Sequence, residues 1–105
     1  MKLLAYNEQL GGNPEQWLRR AGYGLIEDRR SGQISFARRL YHDHYPRFHI
    51  YLNEETLKNG KQAIAINLHL DQKKPGYEGQ ARHNAEYDGE TVENEAKRLA
   101  QFLLR

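Results

Sequence analysis

The 105-residue sequence predicts an α+β domain: a two-layer sandwich whose four-stranded antiparallel sheet carries an N-terminal and a C-terminal helix on one face, in the order α-β-β-β-β-α. Three observations lead there. The stretches "RFHIYLN" (47–53) and "AIAINLHLD" (63–71) alternate apolar and polar residues with period two, the mark of half-buried strands. The stretch "DGETVENEAKRLAQFLLR" (88–105) instead repeats its apolar residues at helical spacing. Near the start, "NPEQWLRRAGYG" (13–24) carries the Pro-first, Gly-last punctuation of a short helix.

In that first helix Asn13 is the expected N-cap, Pro14 the first helical residue and Gly22 the residue past the end. Trp17, Leu18 and Ala21 share one side, leaving Arg19 and Arg20 to water. Residues 23–41 then read as a hairpin around Ser31-Gly32. Its register is open. A two-residue loop pairs Arg29 with Ile34, whereas a three-residue loop puts Ile26 and Phe36 on one face. In the next two strands Phe48, Ile50 and Leu52 face inward, as do Ile64, Ile66, Leu68 and Leu70, with "EETLKNGK" as the joining loop. Burial requires these even-numbered residues to face one another, so His49 must sit across from Asn67 or His69. In the last helix Val92, Ala96, Leu99 and Leu103 form the apolar stripe, and Asp88 is the expected N-cap.

A chain of this length holds one domain, 1–105, able to bury a core without staples. The absence of cysteine excludes disulfides and thiolate metal sites. No apolar run approaches the roughly 20 residues that span a bilayer, and "MKLLAYNEQLGG" is too weakly apolar for a signal peptide. A cytoplasmic, bacterial-type protein is expected. Formal net charge is +2, but residues 1–50 hold 8 Lys/Arg against 5 Asp/Glu, while residues 51–105 hold 8 against 9. The basic half is rich in arginine, with Arg29, Arg30, Arg38 and Arg39 grouped around the first hairpin, and arginine's planar fork suits phosphate.

With both helices on one face of the sheet, the other is left to water or a partner. That face should carry Arg39, Tyr41, Arg47, His49, Tyr51, Asn67, His69 and Asp71, interleaved with the small residues Ser35, Ala37 and Ala65, which leave floor space between taller side chains. The roughly 17-residue loop from Gln72 to Asp88 starts at the end of this face and brings Tyr77 and His83; loops of that length are commonly functional.

Three readings fit these residues. RNA or another phosphate-bearing ligand could stack on Tyr51 and Tyr41 and pair with Arg39 and Arg47. A protein-interaction module, with a protein partner or a second copy, needs no chemistry at all. A phosphodiesterase-type hydrolase could use His49 or His69 oriented by Asp71 or Glu86. Metal-binding variants can be assembled from His42-x-His44, or from His49, His69, Asp71 and His83, but neither has a tight ligand signature, so no metal or cofactor is expected. The binding reading is preferred, with ligand residues Arg39, Arg47, His49, Tyr51, Asn67, His69, Asp71, Tyr77 and His83.

The blocks "YPRFHIYL", "INLHLDQKKPGYEG" and "EYDGETVENEA" resemble a group of short uncharacterised bacterial proteins, which implies no activity. The Gly22-Tyr23 turn and basic hairpin are also similar to small toxin ribonucleases on a double-stranded-RNA-binding-domain-like scaffold. Those carry a His soon after the hairpin glycine, where this chain has Gln33, so that likeness concerns the fold alone.

Overall fold

The computed structural model describes residues 1–43, 45–72, 85–86 and 89–104. The elements in chain order are β1 (Lys2–Ala5), α1 (Asn7–Leu10), α2 (Pro14–Arg20), β2 (Gly24–Glu27), β3 (Ile34–Arg39), β4 (Arg47–Thr56), β5 (Gln62–Asp71), β6 (Ala85–Glu86) and α3 (Glu90–Ala100). All strand pairs are antiparallel. Five strands run in the order β1-β5-β4-β3-β2, and the two-residue β6 joins the same edge of β5 as β1, beyond its end. The α+β class and the antiparallel sheet therefore stand, whereas the four-strand count and the α-first order do not.

The correction comes from β1. "KLLA" is four residues long, and its outward Leu4 breaks the apolar–polar alternation that announces a strand. Leu3 pairs with Ile66 and Ala5 with Ile64, so these two add to the core face. The backbone at Met1 exchanges hydrogen bonds with Leu68, in both directions, at 2.8 and 2.9 Å.

Helix α2 follows its sequence signals. The Asn13 side chain accepts the Gln16 N–H at 2.8 Å. At the other end the Gly22 N–H reaches the Arg19 carbonyl and the Tyr23 N–H the Leu18 carbonyl, a Schellman arrangement that satisfies the last carbonyls. It needs Gly22 at φ 98°, a conformation that L side chains resist.

The first hairpin adopts neither anticipated register. Glu27 pairs with Ile34, Ile26 with Ser35 and Leu25 with Phe36, leaving a four-residue loop, 29–32. Asp28 explains it: its carboxylate accepts the N–H groups of Arg30 and Ser31, and its carbonyl accepts that of Gly32, which sits at φ 75°. Ile26 thereby shares a face with Ser35, not Phe36. The arginine group also divides. Arg29 and Arg30 sit at the hairpin tip, while Arg38 and Arg39 lie at the far end of β3, opposite Phe48 and Arg47.

Between β4 and β5 the parity argument holds along ten residue pairs, from Arg47–Asp71 to Thr56–Gln62, with Phe48, Ile50 and Leu52 facing Leu70, Leu68 and Ile66. These residues form one core with Phe36, with Trp17, Leu18 and Ala21 of α2, and with Val92, Ala96 and Leu99 of α3. Both helices thus cover the same face. The C-terminal turn is fastened to the N-terminal part of the chain, since the Trp17 indole N–H donates to the Phe102 carbonyl and the Leu104 N–H to the Gln9 carbonyl. The N-cap of α3 is Gly89, not Asp88, which lies outside the described residues.

One polar group is built into this core. Glu95, only 4 % exposed, accepts from the Tyr23 hydroxyl at 2.5 Å and from two nitrogens of Arg98 at 2.7 and 2.9 Å, with Arg38 at 3.6 Å. Burial above all, then the hydrogen bond to Glu95 and its charge, pushes the Tyr23 hydroxyl far above its usual pKa. No helix among the described residues is long and apolar enough to cross a membrane.

Candidate functional site

On the sheet face away from the helices, strand register sets side chains in cross-strand rows. One runs Arg39–Arg47–Asp71. The next is Ala37–His49–His69. A third pairs Tyr51 with Asn67 and Asn67 with Lys2. Seven of the nine anticipated ligand residues, Arg39, Arg47, His49, Tyr51, Asn67, His69 and Asp71, thus share one face, and His49 lies opposite His69, one of the two partners that parity allowed. Tyr77 and His83 fall outside the described residues.

Asp71 is the hub. One carboxylate oxygen lies 3.0 Å from His49 Nδ1 and 3.4 Å from Arg47 Nε, and the other lies 2.9 Å from His69 Nε2. Burial alone would raise the Asp71 pKa. The hydrogen bonds from His49 and His69, followed by the charge on those rings, outweigh it and hold the carboxyl well below its usual range. An ionised carboxylate only accepts, so both histidines present N–H groups to it. A neutral His49 then has Nε2 free to accept from the Ser35 hydroxyl, 2.8 Å away.

Ser35 is the member that sequence reasoning missed. It appears there only as a small floor residue, because the unknown length of the connection through Tyr41–Pro46 left the β3–β4 register unset. His42, moreover, lies in irregular chain after β3, so the His42-x-His44 spacing places no ring pair on a strand face; His44 is outside the described residues.

The three rings form a contiguous cluster. His49 and His69 centroids are 4.9 Å apart, His49 and Tyr51 4.6 Å, and Tyr51 stacks on His69 at 5.9 Å with 11° between planes. On either side of this cluster the surface dips. One hollow of about 410 Å³ is lined by Met1, Lys2, Tyr51, Asn67, Leu68 and His69. The other, of about 340 Å³, lies at the β2–β3 edge of the sheet and draws on both faces, with Ile26, Ala37, Arg39 and Arg47 from this one and Leu25 and Arg38 from the helix side. Of the three small residues expected to leave floor space, Ala37 lines this hollow, while Ser35 and Ala65 line neither hollow.

No family model, curated protein or solved structure matches the chain. The chemistry therefore has to be argued from geometry.

The order Ser35–His49–Asp71 is that of a serine-hydrolase relay, but the surroundings do not suit acyl transfer. Ser35 is 5 % exposed, and it sits within a paired strand, where backbone N–H groups serve the ladder and not a developing oxyanion. His49 is 7 % exposed with both ring nitrogens engaged, so it has no free nitrogen to offer a substrate directly. Beside this triad the face carries exposed Arg39 next to the mostly buried Arg47 on one side, and the partly buried Tyr51–His69 stack on the other.

Proposed function

We propose that this sheet face binds RNA or another phosphate-bearing ligand, with phosphate in the arginine-lined hollow and a base against the Tyr51–His69 stack. The observation that carries the reading is the direct opposition of Arg39 and Arg47 across β3 and β4. Like charges facing each other on neighbouring strands destabilise a sheet. Asp71 offsets Arg47 from the far side, while among the described residues Arg39 reaches the His42 carbonyl, at 3.3 Å, and no carboxylate. A phosphate in the hollow between them would turn that repulsion into a two-armed clamp, for which guanidinium geometry is suited. The ring cluster lies one row further along the same face and supplies the stacking element that single-stranded RNA recognition uses.

Filter binding of a single-stranded RNA at two salt concentrations tests the proposal. Affinity should fall steeply as salt rises, and Arg39→Ala should lower the salt slope by about one, the signature of one lost phosphate contact. Tyr51→Ala should weaken binding by about 1–3 kcal/mol, with the slope unchanged. Absence of binding at low salt, or equal affinity in both variants, would refute it.

A further inference from the structure

We infer that His49 Nδ1, His69 Nε2 and an Asp71 carboxylate oxygen form a three-ligand site for Zn²⁺, whose fourth position faces the hollow beside Tyr51 and Asn67. The three ligand atoms lie within 4.8 Å of one another, and each nitrogen is already within 3.0 Å of the carboxylate. Tetrahedral zinc with bonds of about 2.0–2.2 Å needs ligand atoms about 3.3 Å apart, so the widest pair must close by up to about 1.5 Å while the two N···O contacts open slightly. Two imidazoles and one carboxylate are a donor set for zinc and its first-row neighbours. Calcium and magnesium take oxygen ligands and are disfavoured.

Ser35 gives the second, independent reason. A metal-bound histidine is normally held by a hydrogen bond from its other ring nitrogen. His49 has that partner in place, with Nε2 2.8 Å from Ser35 Oγ. A hydroxyl both donates and accepts. Without metal, Ser35 donates to Nε2 while Nδ1–H points at Asp71. With metal, the proton moves to Nε2 and is donated to Ser35, freeing the Nδ1 lone pair for zinc. His69, whose Nε2–H also points at Asp71, must likewise carry its ring proton on Nδ1, so in neutral rings the change is two tautomer shifts, one in each ring. Access comes from the 410 Å³ hollow, which His69 lines. Among the described residues Arg47, whose Nε is 3.4 Å from Asp71, opposes the ion most directly, and Lys2, which lines the hollow, is held by Glu55. The Arg47 cation should weaken zinc binding, and its side chain, 17 % exposed, leads toward solvent and the neighbouring arginine-lined hollow.

The test is titration of purified, nucleic-acid-free full-length chain with Zn²⁺ by calorimetry, and with Co²⁺ by visible absorption, so its outcome is independent of RNA binding. One equivalent should bind, with Co²⁺ giving the intense visible bands of a site of low coordination number and Mg²⁺ giving no heat. His69→Gln should abolish binding. Ser35→Ala should weaken it 10- to 100-fold, the effect of losing an outer-sphere hydrogen bond. Arg47→Gln should tighten it. No binding at millimolar Zn²⁺ would overturn the inference. So would binding that survives both His69→Gln and Ser35→Ala, since the ion would then be held by other histidines. Circular dichroism of each variant separates a lost site from a lost fold, and Ser35→Ala, which removes a single oxygen, keeps the test decisive if His69→Gln fails to fold.

Discussion

Removing one oxygen atom from the core, by Tyr23→Phe, should leave a mark that depends on pH. The Tyr23 hydroxyl donates to the buried Glu95 carboxylate at 2.5 Å. A hydrogen bond to a charged acceptor contributes about 1.5–3 kcal/mol, so the variant should be less stable than the parent by about 2 kcal/mol at pH 7. The environment also raises the Tyr23 pKa far above 10 in the folded chain. Below pH 10 the tyrosine is protonated in both states, and the stabilisation is fully present. Above pH 10 the unfolded chain gives up the proton and the folded chain keeps it, so stability falls by about 1.4 kcal/mol per pH unit. By about pH 11.5 the parent should have lost the roughly 2 kcal/mol that separates it from the variant, and the two should unfold together. Other groups titrating in this range are common to both chains and cancel in the difference. Urea unfolding followed by the fluorescence of Trp17, which is the single tryptophan and is 1 % exposed, measures both chains from pH 7 to 11.5. A gap that stays constant across this range, or no gap at pH 7, would refute the account of Glu95 as an ionised acceptor.

Asp71→Ala leaves Arg47 and two histidines without their shared acceptor, and chemical denaturation should show a loss of about 3 kcal/mol. Because the folded pKa of Asp71 is depressed, its contribution is full above about pH 4 and disappears as pH falls toward the folded value. Acid titration of the parent should therefore show a stability loss below pH 4 that Asp71→Ala lacks. Gly22→Ala forces an L residue to φ 98° and brings its Cβ to 3.4 Å from Arg38, so thermal or urea unfolding should report a cost of about 1–2 kcal/mol.

The parts of this molecule that were legible in its sequence are those governed by parity. Once β4 and β5 must bury their even-numbered residues, a shift of one residue would expose the whole apolar set, so His49 had to meet Asn67 or His69, and a shift of two residues, which parity permits, separates those two. The end signals of α2 were equally readable, because Asn13 and Gly22 each have one backbone task. The first hairpin was not, since its register rests on Asp28 folding its carboxylate over the loop, and that conformation competes with shorter turns of similar composition. β1 escaped because a four-residue strand offers too few positions for a period to emerge. Glu95 did carry a signal: it lies three residues after Val92 and four before Leu99, on the apolar stripe and not on the solvent side. Ser35 carried none. Its role depends on how β3 and β4 are set against each other, which neither strand encodes alone.

The ties between distant parts of the chain bear on how this protein comes to be folded. The Gln9 carbonyl, the Trp17 indole and the Tyr23 hydroxyl bond to Leu104, Phe102 and Glu95, and the Met1 backbone bonds to Leu68. During synthesis the Trp17 indole of α2 and the Tyr23 phenol must wait, still hydrated, until residues 95–102 have left the ribosome. Contacts this distant along the chain are closed late and slowly. Assembly should therefore be a single cooperative event, with no stable N-terminal half to serve as a stepping stone.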